Sequence, residues 1–284
     1  MTETPVRLPV RDRDTHKGNY GRVALVGGSR GMAGAIALSG LAASKAGSGL
    51  VTICVPNNCQ PTVANFHPGV MTRGWPDNRL GSFHHHAANQ CSVLRGFDAI
   101  GIGPGLTTDL GPAFLLASIL ELPVPVILDA DAINLIATRE DLADRAQVRQ
   151  QATILTPHPG EWSRISKTPA RDREQQIQSA EDWAGKSGCV VVLKGAETIV
   201  TDGERTWKNQ TGTPAMATGG SGDVLTGIIT SLVGQGLSAW DAARLAAQVH
   251  GMAGEAAEVR LGAAAVTARE LVDELRVESG NLTP

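Results

Sequence analysis

Short apolar runs alternate with helix-like segments along most of this 284-residue chain. The runs are continuously apolar, as residues 189–193 illustrate, or nearly so, as in residues 50–56, and do not alternate between apolar and polar positions. A strand that is apolar on both faces must be covered on both faces, which is the situation in a parallel sheet with helices on either side. The sequence therefore predicts an α/β fold with a mostly parallel central sheet.

The predicted elements follow one another from residue 22 to residue 257. Strands are predicted at residues 22–27, 50–56, 97–102, 124–128, 153–156, 189–193, 197–200 and 205–208. Helices are predicted at residues 32–46, 109–120, 130–137, 171–186, 223–232 and 238–257. Asp202 and Gly203 between the last two strands form a hairpin signal, so the sheet should end in an antiparallel edge. We expect one domain over residues 1–284, with loose termini at about 1–17 and 277–284.

Composition argues against several classes of partner. The formal net charge is −3 and aromatic residues make up 4% of the chain, so neither a basic stripe nor a stacking surface for nucleic acid is expected. No apolar run approaches the length of a membrane span, and the first 14 residues are too polar for a signal peptide. The four cysteines form no C-x-x-C pair, as is typical of reduced thiols. We expect a cytoplasmic protein without nucleic-acid or membrane partners.

The segment Thr-Gly-Gly-Ser-Gly-Asp at residues 218–223 leads directly into an apolar helix. Glycines at a helix N-terminus let backbone N–H groups point at an anion, which the helix dipole also favours. Asp223 beside such amides is placed to accept a proton from a hydroxyl while a phosphoryl group is held, which suits phosphoryl transfer. An acidic residue in a first helical turn also stabilises the helix by itself, so both interpretations stay open.

Four further segments follow predicted strands, where ligands bind in parallel sheets. Glycine turns occur at residues 27–31 and 103–105, and either one is also explained as a simple chain reversal. Asp129 and Asp131 follow a strand and are weak candidates for Mg²⁺ ligands, or else cap the next helix. Lys194 follows the last strong strand, where it can pair with nucleotide phosphates or lie in solvent.

Two groups of histidines stand out in the sequence. His158 lies between two prolines, which excludes it from a regular helix or a central strand and predicts a rigid loop. His84, His85 and His86 are consecutive, and adjacent residues do not share one face of a helix or strand. Because no cysteine or acidic residue has zinc-site spacing with them, we predict no metal site there.

Six segments of the chain together resemble the NAD(P)H-hydrate dehydratase family. They are VALVGGSRGMAGAIALSGLAASKAGSGLVT, GIGPGLT, ILDADAINLI, ILTPHPGEWSRI, VVLKGAETIV and MATGGSGDVLTGIITSL. The resemblance runs from about His16 to Glu274, and T-P-H-P-G-E with D-A-D-A is its most specific part, since G-G-S-G-D also occurs in many ribokinase-like kinases. It implies a ribokinase-like three-layer αβα sandwich that forms homotetramers.

The resemblance also implies an activity, in which ADP or ATP with Mg²⁺ drives dehydration of the S form of hydrated NADH or NADPH. ADP would be the donor if the source is bacterial. The family's catalytic residues correspond here to Asp223 as the base and to the amides of Gly220, Ser221 and Gly222. The family's nucleotide-binding residues correspond here to Lys194, Gly195, Ala196, Glu197, Thr198 and Gly222. The family's residues that bind the hydrated cofactor correspond to Ala35, Gly105, His158 and Asp223.

Three positions depart from the family pattern, namely Thr107 in place of glycine, Thr213 in place of asparagine and Ala215 in place of glycine. The epimerase half that precedes this domain in many relatives is not recognised, so a separate epimerase is expected as a functional partner. Two rival functions remain at this point. A ribokinase-like kinase for a small alcohol would use the same Asp223, and a non-catalytic nucleotide-binding regulator would bind nucleotide without turnover.

Overall fold

The computed structural model describes residues 6–279, which form a nine-stranded sheet in the order β3-β2-β1-β4-β5-β6-β7-β8-β9. The strands are β1 (Arg22–Val26), β2 (Leu50–Pro56), β3 (Met71–Trp75), β4 (Ala99–Ile102), β5 (Val126–Leu128), β6 (Thr153–Leu155), β7 (Val190–Leu193), β8 (Ile199–Thr201) and β9 (Thr206–Lys208). The helices are α1 (Ala33–Lys45), α2 (Gln60–Ala64), α3 (Leu110–Leu120), α4 (Ala130–Thr138), α5 (Glu140–Gln147), α6 (Pro159–Ser166), α7 (Arg173–Ser187), α8 (Ser221–Gly234), α9 (Ala239–Leu261) and α10 (Ala268–Asp273).

The sheet is parallel from β3 to β7 and antiparallel from β7 to β9. This confirms the predicted parallel sheet with an antiparallel edge, and the hairpin turns where Asp202 and Gly203 predicted it. Gly203 has φ +88°, and a Cβ there would lie 2.3 Å from the backbone N of Gly185 in α7. The turn therefore needs glycine both for its conformation and for the close approach of the helix.

The inner strands are buried on both faces, as their apolar character predicts. In β1, Val23 and Leu25 belong to a core formed with α1, α8, α9 and α10, whereas Ala24 and Val26 belong to a second core formed with α3, α4 and α5. Successive strand residues point to opposite faces, so the two cores lie on opposite sides of the sheet. The molecule is a three-layer αβα sandwich.

The sequence missed β3, α2, α5, α6 and α10. Strand β3 lies at the edge of the sheet, and its exposed and half-buried positions, such as Met71 and Arg73, lack the uninterrupted apolar pattern of the inner strands. Several missed helices are short, and α6 and α10 span eight and six residues. Short elements bury little surface and leave a weak periodic signal.

Within the described residues, the two segments expected to be loose termini contact each other. Leu8 is buried, its N–H donates to the carbonyl of Glu278 at 3.3 Å, and it pairs with Ser279 in a parallel bridge. A 3-10 helix follows at Lys17–Tyr20. The remaining parts of the predicted loose termini, residues 1–5 and 280–284, lie outside the described residues. Among the helices within 6–279, none has the length and apolar character needed to cross a membrane.

Candidate active site

Polar side chains and glycine turns meet at the carboxyl edge of the parallel strands. Asp129 follows β5, Thr156 follows β6 and Lys194 follows β7, while the two glycine turns follow β1 and β4. The turns contact each other, since the N–H of Gly28 donates to the carbonyl of Pro104 at 2.8 Å. Because ligands bind at this edge in open α/β sheets, these residues define the candidate site.

Asp129 is the most deeply buried charged group of this site, with 1% of its side chain exposed. Its Oδ1 accepts hydrogen bonds from the hydroxyl of Thr156 and from the Lys194 ammonium, each at 2.7 Å. Its Oδ2 accepts from the hydroxyl of Thr226 in α8, also at 2.7 Å. Three donors stabilise a buried carboxylate in its charged form, so Asp129 joins β5, β6, β7 and α8 in one network.

Lys194 lies between this carboxylate and the start of α8. Its Nζ is 2.7 Å from Asp129 and 3.9 Å from Oε2 of Glu161. A Cβ on Gly222 would lie 3.2 Å from the same Nζ, so glycine at this position leaves room for the ammonium. Attraction to Asp129 and Glu161 outweighs the effect of burial and raises the pKa of Lys194. The structure therefore presents a charged ammonium to the first turn of α8.

Asp223 lies in that first turn, beside the ammonium of Lys194. Burial of the carboxyl and the nearby charge of Asp129 raise its pKa to about 7, against the opposing effect of Lys194. Within residues 6–279 no hydrogen bond holds the carboxyl, in contrast to the carboxyl of Asp129. A half-buried carboxyl with a pKa near neutral pH has the properties of a general base.

The backbone at the start of α8 is shaped to expose its N–H groups. Gly220 is the N-cap with φ +93°, and a Cβ there would lie 2.7 Å from Leu38 and 2.9 Å from Ala268. A Cβ on Gly219 would meet nothing within 4 Å, so the turn is open on the other side. The first amides of a helix lack intrahelical partners and attract an anion.

A cavity of about 760 Å³ lies against the same turn. Its walls include every residue that the family resemblance implies for the nucleotide, namely Lys194, Gly195, Ala196, Glu197, Thr198 and Gly222. Thr213, one of the departures from the family pattern, also lines the cavity and accepts a hydrogen bond from the N–H of Ala215, which is buried. The volume is within the range of cavities that hold a small molecule.

His250 is a cavity residue that the sequence did not single out. It lies in the alanine-rich helix α9, is buried, and its Nε2 is 3.4 Å from the hydroxyl of Ser221. Burial and the positive charge of Lys194 lower the pKa of His250 to about 4, so the ring is neutral at physiological pH. No motif surrounds it in the sequence, and only the packing of α9 on α8 reveals its place.

Ala35 and Gly105 lie together at the contact of the two glycine turns. Gly105 has φ +63°, and a Cβ there would be 2.6 Å from the carbonyl of Met32 and 3.4 Å from the Cβ of Ala35. Ser39 connects this region to α8, because its hydroxyl lies 2.8 Å from the carbonyl of Asp223 and 3.3 Å from that of Ala35. Ala35 and Gly105, two of the four residues implied for the hydrated cofactor, are thus adjacent in space although 70 residues apart in sequence.

His158 is the N-cap of α6, outside the helix as its flanking prolines predicted. Its Nδ1 accepts hydrogen bonds from the N–H groups of Gly160 and Glu161, while its Nε2 is 3.3 Å from Oε1 of Glu161. Burial and the charge of Lys194 lower the pKa of His158. The ring is therefore neutral and fixed in orientation by Glu161, with about half of its surface exposed.

Thr107 has φ +70°, the left-handed region that favours glycine. Its N–H donates to Oδ2 of Asp131 at 2.8 Å, and its hydroxyl contacts Asp109 at 3.0 Å and Ser82 at 2.8 Å. These bonds hold a β-branched residue in a conformation that is strained for it. Glycine, which the family pattern has at this position, adopts the same left-handed conformation without strain.

The two carboxylates considered for Mg²⁺ differ in their fit. Both oxygens of Asp129 are engaged by donors inside the protein, including a lysine, so Asp129 does not fit direct coordination of a metal ion. Asp131 is half-buried and accepts from the Thr107 N–H and, at 3.2 Å, from Asn134. It stays a candidate for contact with a hydrated ion that accompanies nucleotide phosphates.

Comparisons with known proteins bear on the whole chain. A family profile described as NAD(P)H-hydrate dehydratase matches residues 23–276. A bifunctional NAD(P)H-hydrate repair enzyme of Moorella thermoacetica is 42% identical over 283 residues, which cover 97% of this chain and 52% of that protein. An ADP-dependent (S)-NAD(P)H-hydrate dehydratase of Cenarchaeum symbiosum is 34% identical, with 94% of this chain and 91% of that protein covered.

Solved structures agree with the observed fold. The ADP/ATP-dependent NAD(P)H-hydrate dehydratase from Bacillus subtilis, co-crystallized with ATP/Mg²⁺, has a TM-score of 0.81 at 32% identity, covering 95% of this chain and 92% of that one. Ribokinase from Arabidopsis thaliana, 14% identical, has a TM-score of 0.59, which concerns the fold alone, with 91% of this chain and 99% of that one covered. The ribokinase-like fold is thus confirmed. The chain spans about half the length of the bifunctional relatives it matches.

Proposed function

The chain belongs to the NAD(P)H-hydrate dehydratase family, and we propose that it dehydrates the S form of hydrated NADH and NADPH at the expense of ADP or ATP. One observation carries this proposal. A carboxyl with a pKa near 7, that of Asp223, lies in the first turn of α8, next to the cavity and to the place where Ala35 of α1 meets Gly105. A base in this position can accept a proton from the hydrated cofactor while the nucleotide lies in the adjacent cavity.

The proposed first step transfers a phosphoryl group to the ring hydroxyl of the hydrated cofactor. Asp223 accepts the hydroxyl proton as the oxygen attacks the terminal phosphorus of the nucleotide, and AMP leaves from ADP or ADP leaves from ATP. The ring nitrogen then expels phosphate, and loss of a proton from the neighbouring carbon restores the double bond. Phosphate is a better leaving group than hydroxide, which is why a nucleotide is consumed in a dehydration.

Positive charge for this transfer would come from Lys194 and from the amides of Gly220, Ser221 and Gly222. The Lys194 ammonium is already held within 3.2 Å of the position that a Gly222 Cβ would occupy, so little reorganisation is needed when phosphate arrives. The remaining nucleotide contacts would come from the cavity walls at residues 195–198. Mg²⁺, when bound with the nucleotide, supplies charge neutralisation at the phosphates.

Ala35, Gly105 and His158 would contact the hydrated cofactor. The small side chain of Ala35 would let a flat ring approach closely, and glycine at position 105 lets its turn pack against Met32 and Ala35. The Nε2–H of His158 is turned toward Glu161, so the exposed part of the imidazole is available as a neutral contact. We further propose a homotetramer in the cytoplasm, acting on substrate supplied with the help of an NAD(P)H-hydrate epimerase, as the family resemblance implies.

The nature of the product tests this function against a kinase with the same site. Hydrated NADH is incubated with the protein, Mg²⁺ and ADP or ATP, and phosphorus NMR follows the transferred group. The dehydratase releases one inorganic phosphate for each NADH formed. Accumulation of a stable phosphate ester of the hydrate would instead identify a small-molecule kinase, and nucleotide binding without any phosphoryl transfer would identify a regulator.

A further inference from the structure

Three consecutive histidines form a cluster that has no part in the site described above. The ring centroids of His84, His85 and His86 lie 4.0, 4.3 and 4.6 Å from one another. One ring nitrogen from each lies within 4.8 Å of the others, and within residues 6–279 no other three histidine, cysteine or acidic side chains converge in this way. The rule that adjacent residues do not share one face of a helix or strand therefore does not keep these three rings apart.

The local backbone explains the convergence. The segment is neither an α-helix nor a strand, because His84 is the N-cap of a 3-10 helix that begins at His85. His84 has an extended backbone and the next two residues begin the tight turn, and the three rings meet at this change of backbone conformation. The turn therefore has neither the regular α nor the regular β geometry in which adjacent side chains point to different faces.

The cluster is anchored by buried neighbours. Phe83, the preceding residue, is fully buried and makes an edge contact with the Trp75 ring. The N–H of His84 donates to the carbonyl of Pro76 at 2.9 Å, and Asp77 pairs with Phe83 in an antiparallel bridge. The backbone that carries the imidazoles is thus fixed on both sides, so a ligand that joins them orders only side chains.

Each of the three histidines has a ring nitrogen that is available to bind a metal ion. Nδ1 of His84 accepts a 3.3 Å hydrogen bond from the N–H of His86, which fixes the ring and leaves Nε2 directed away from that bond. His85 and His86 are exposed, and the His85 ring lies 6.3 Å from the ring of Phe114 in α3. Neutral imidazoles offer lone pairs that suit Zn²⁺, Cu²⁺ and Ni²⁺.

We propose that His84, His85 and His86 bind one divalent transition-metal ion of the Zn²⁺ type, with water completing its coordination. Ligand nitrogens about 2.0–2.1 Å from a tetrahedral ion are about 3.3 Å from each other. The structure holds them within 4.8 Å, so closing the site needs shifts of about 1.5 Å, which side-chain rotation of two exposed histidines supplies. Among residues 6–279 no carboxylate joins the group, so the proposed ligands are three imidazoles.

Calorimetric titration of the full-length, chelator-treated protein with Zn²⁺ tests this proposal. We expect one Zn²⁺ per chain in the wild type. Loss of an outer-shell partner alone weakens metal binding by about 10–100-fold, so His85→Asn and His86→Asn should each weaken Zn²⁺ binding at least as much. Both side chains are exposed, so neither substitution should lower the melting temperature of the metal-free protein.

His67→Asn is the matched control. Nδ1 of His67 accepts a hydrogen bond from the N–H of Gly69 at 3.1 Å, as Nδ1 of His84 does from His86, but His67 belongs to no such cluster. Zn²⁺ binding should be unchanged in this variant. Co²⁺ bound to the wild type should show the visible absorption of a four-coordinate ion, which should be absent in His85→Asn. Absence of Zn²⁺ binding in the wild type, or equal binding in wild type, His85→Asn and His86→Asn, would overturn the proposal.

Discussion

The Nζ of Lys194 lies 2.7 Å from Oδ1 of Asp129, and this ion pair connects the end of β7 to the end of β5 beneath the first turn of α8. The carboxylate is almost fully buried and the ammonium is 17% exposed. Removing one partner of a buried pair leaves the other charge uncompensated, which costs more than the pair itself contributes. The pair therefore bears on stability as well as on catalysis.

Asp129→Asn should lower the free energy of unfolding by about 3–5 kcal/mol, measured by urea denaturation. The double variant Asp129→Asn/Lys194→Met should recover part of this loss, because no unpaired ammonium remains buried. Contact residues show such coupling in double-mutant cycles. Strictly additive losses from the two single substitutions would show that the pair is not coupled in the folded protein.

The pKa of Asp223 predicts how turnover depends on pH. A general base acts when deprotonated, so kcat/KM for the hydrate should fall about tenfold per pH unit below pH 7 and level off above it. Asp223→Asn should still bind nucleotide and lose about 10²-fold or more in kcat. A flat profile from pH 5 to pH 8, or near-normal turnover of Asp223→Asn, would remove Asp223 from the role of base.

The same carboxyl should make the protein less stable at neutral pH and above than at acidic pH. A folded-state pKa raised from 3.8 to about 7 means that the contribution of Asp223 to stability is lost as pH rises through this interval. Asp223→Asn carries no such penalty, so its gain over the wild type should be about 1–3 kcal/mol larger at pH 8 than at pH 5. Urea denaturation at both pH values measures this difference, and equal gains would contradict the raised pKa.

Thr107 offers a test of backbone strain against hydrogen bonding. Thr107→Ala loses the hydroxyl contacts with Asp109 and Ser82 but keeps the left-handed backbone, so it should destabilise the protein by about 1–3 kcal/mol. Thr107→Gly loses the same contacts and also relieves about 1 kcal/mol or more of strain. Thermal unfolding should rank the glycine variant above the alanine variant, and the reverse order would argue that φ at this position carries no strain.

The sequence predicts those parts of the fold in which local pattern and burial agree. The inner strands β1, β2, β4, β5, β6 and β7 are apolar on both faces and were predicted within a few residues. The edge strand β3 was not predicted, because its half-buried residues carry no such pattern. Contacts between side chains on different strands were not predicted either, since nothing near Lys194 in the chain indicates Asp129, 65 positions earlier.

Some residues of the candidate site can be predicted from the sequence, and others are revealed only by the structure. Its glycine turns and Asp223 are recognisable because backbone geometry imposes residue types on consecutive positions. His250 is isolated among alanines, so its contact with Ser221 follows only from the packing of α9 against α8. The convergence of the histidines at 84–86 was not predicted, because it depends on a 3-10 turn and not on a regular helix or strand.

The most direct test of the central claim follows the absorbance of reduced nicotinamide. Chemically hydrated NADH is incubated with the purified protein, Mg²⁺ and either ADP or ATP, with Asp223→Asn in parallel. We predict that the long-wavelength absorbance returns with wild type only when a nucleotide is present, and that the better donor gives the faster recovery. Absence of recovery with either nucleotide, in a protein that still binds them, would contradict the dehydratase function.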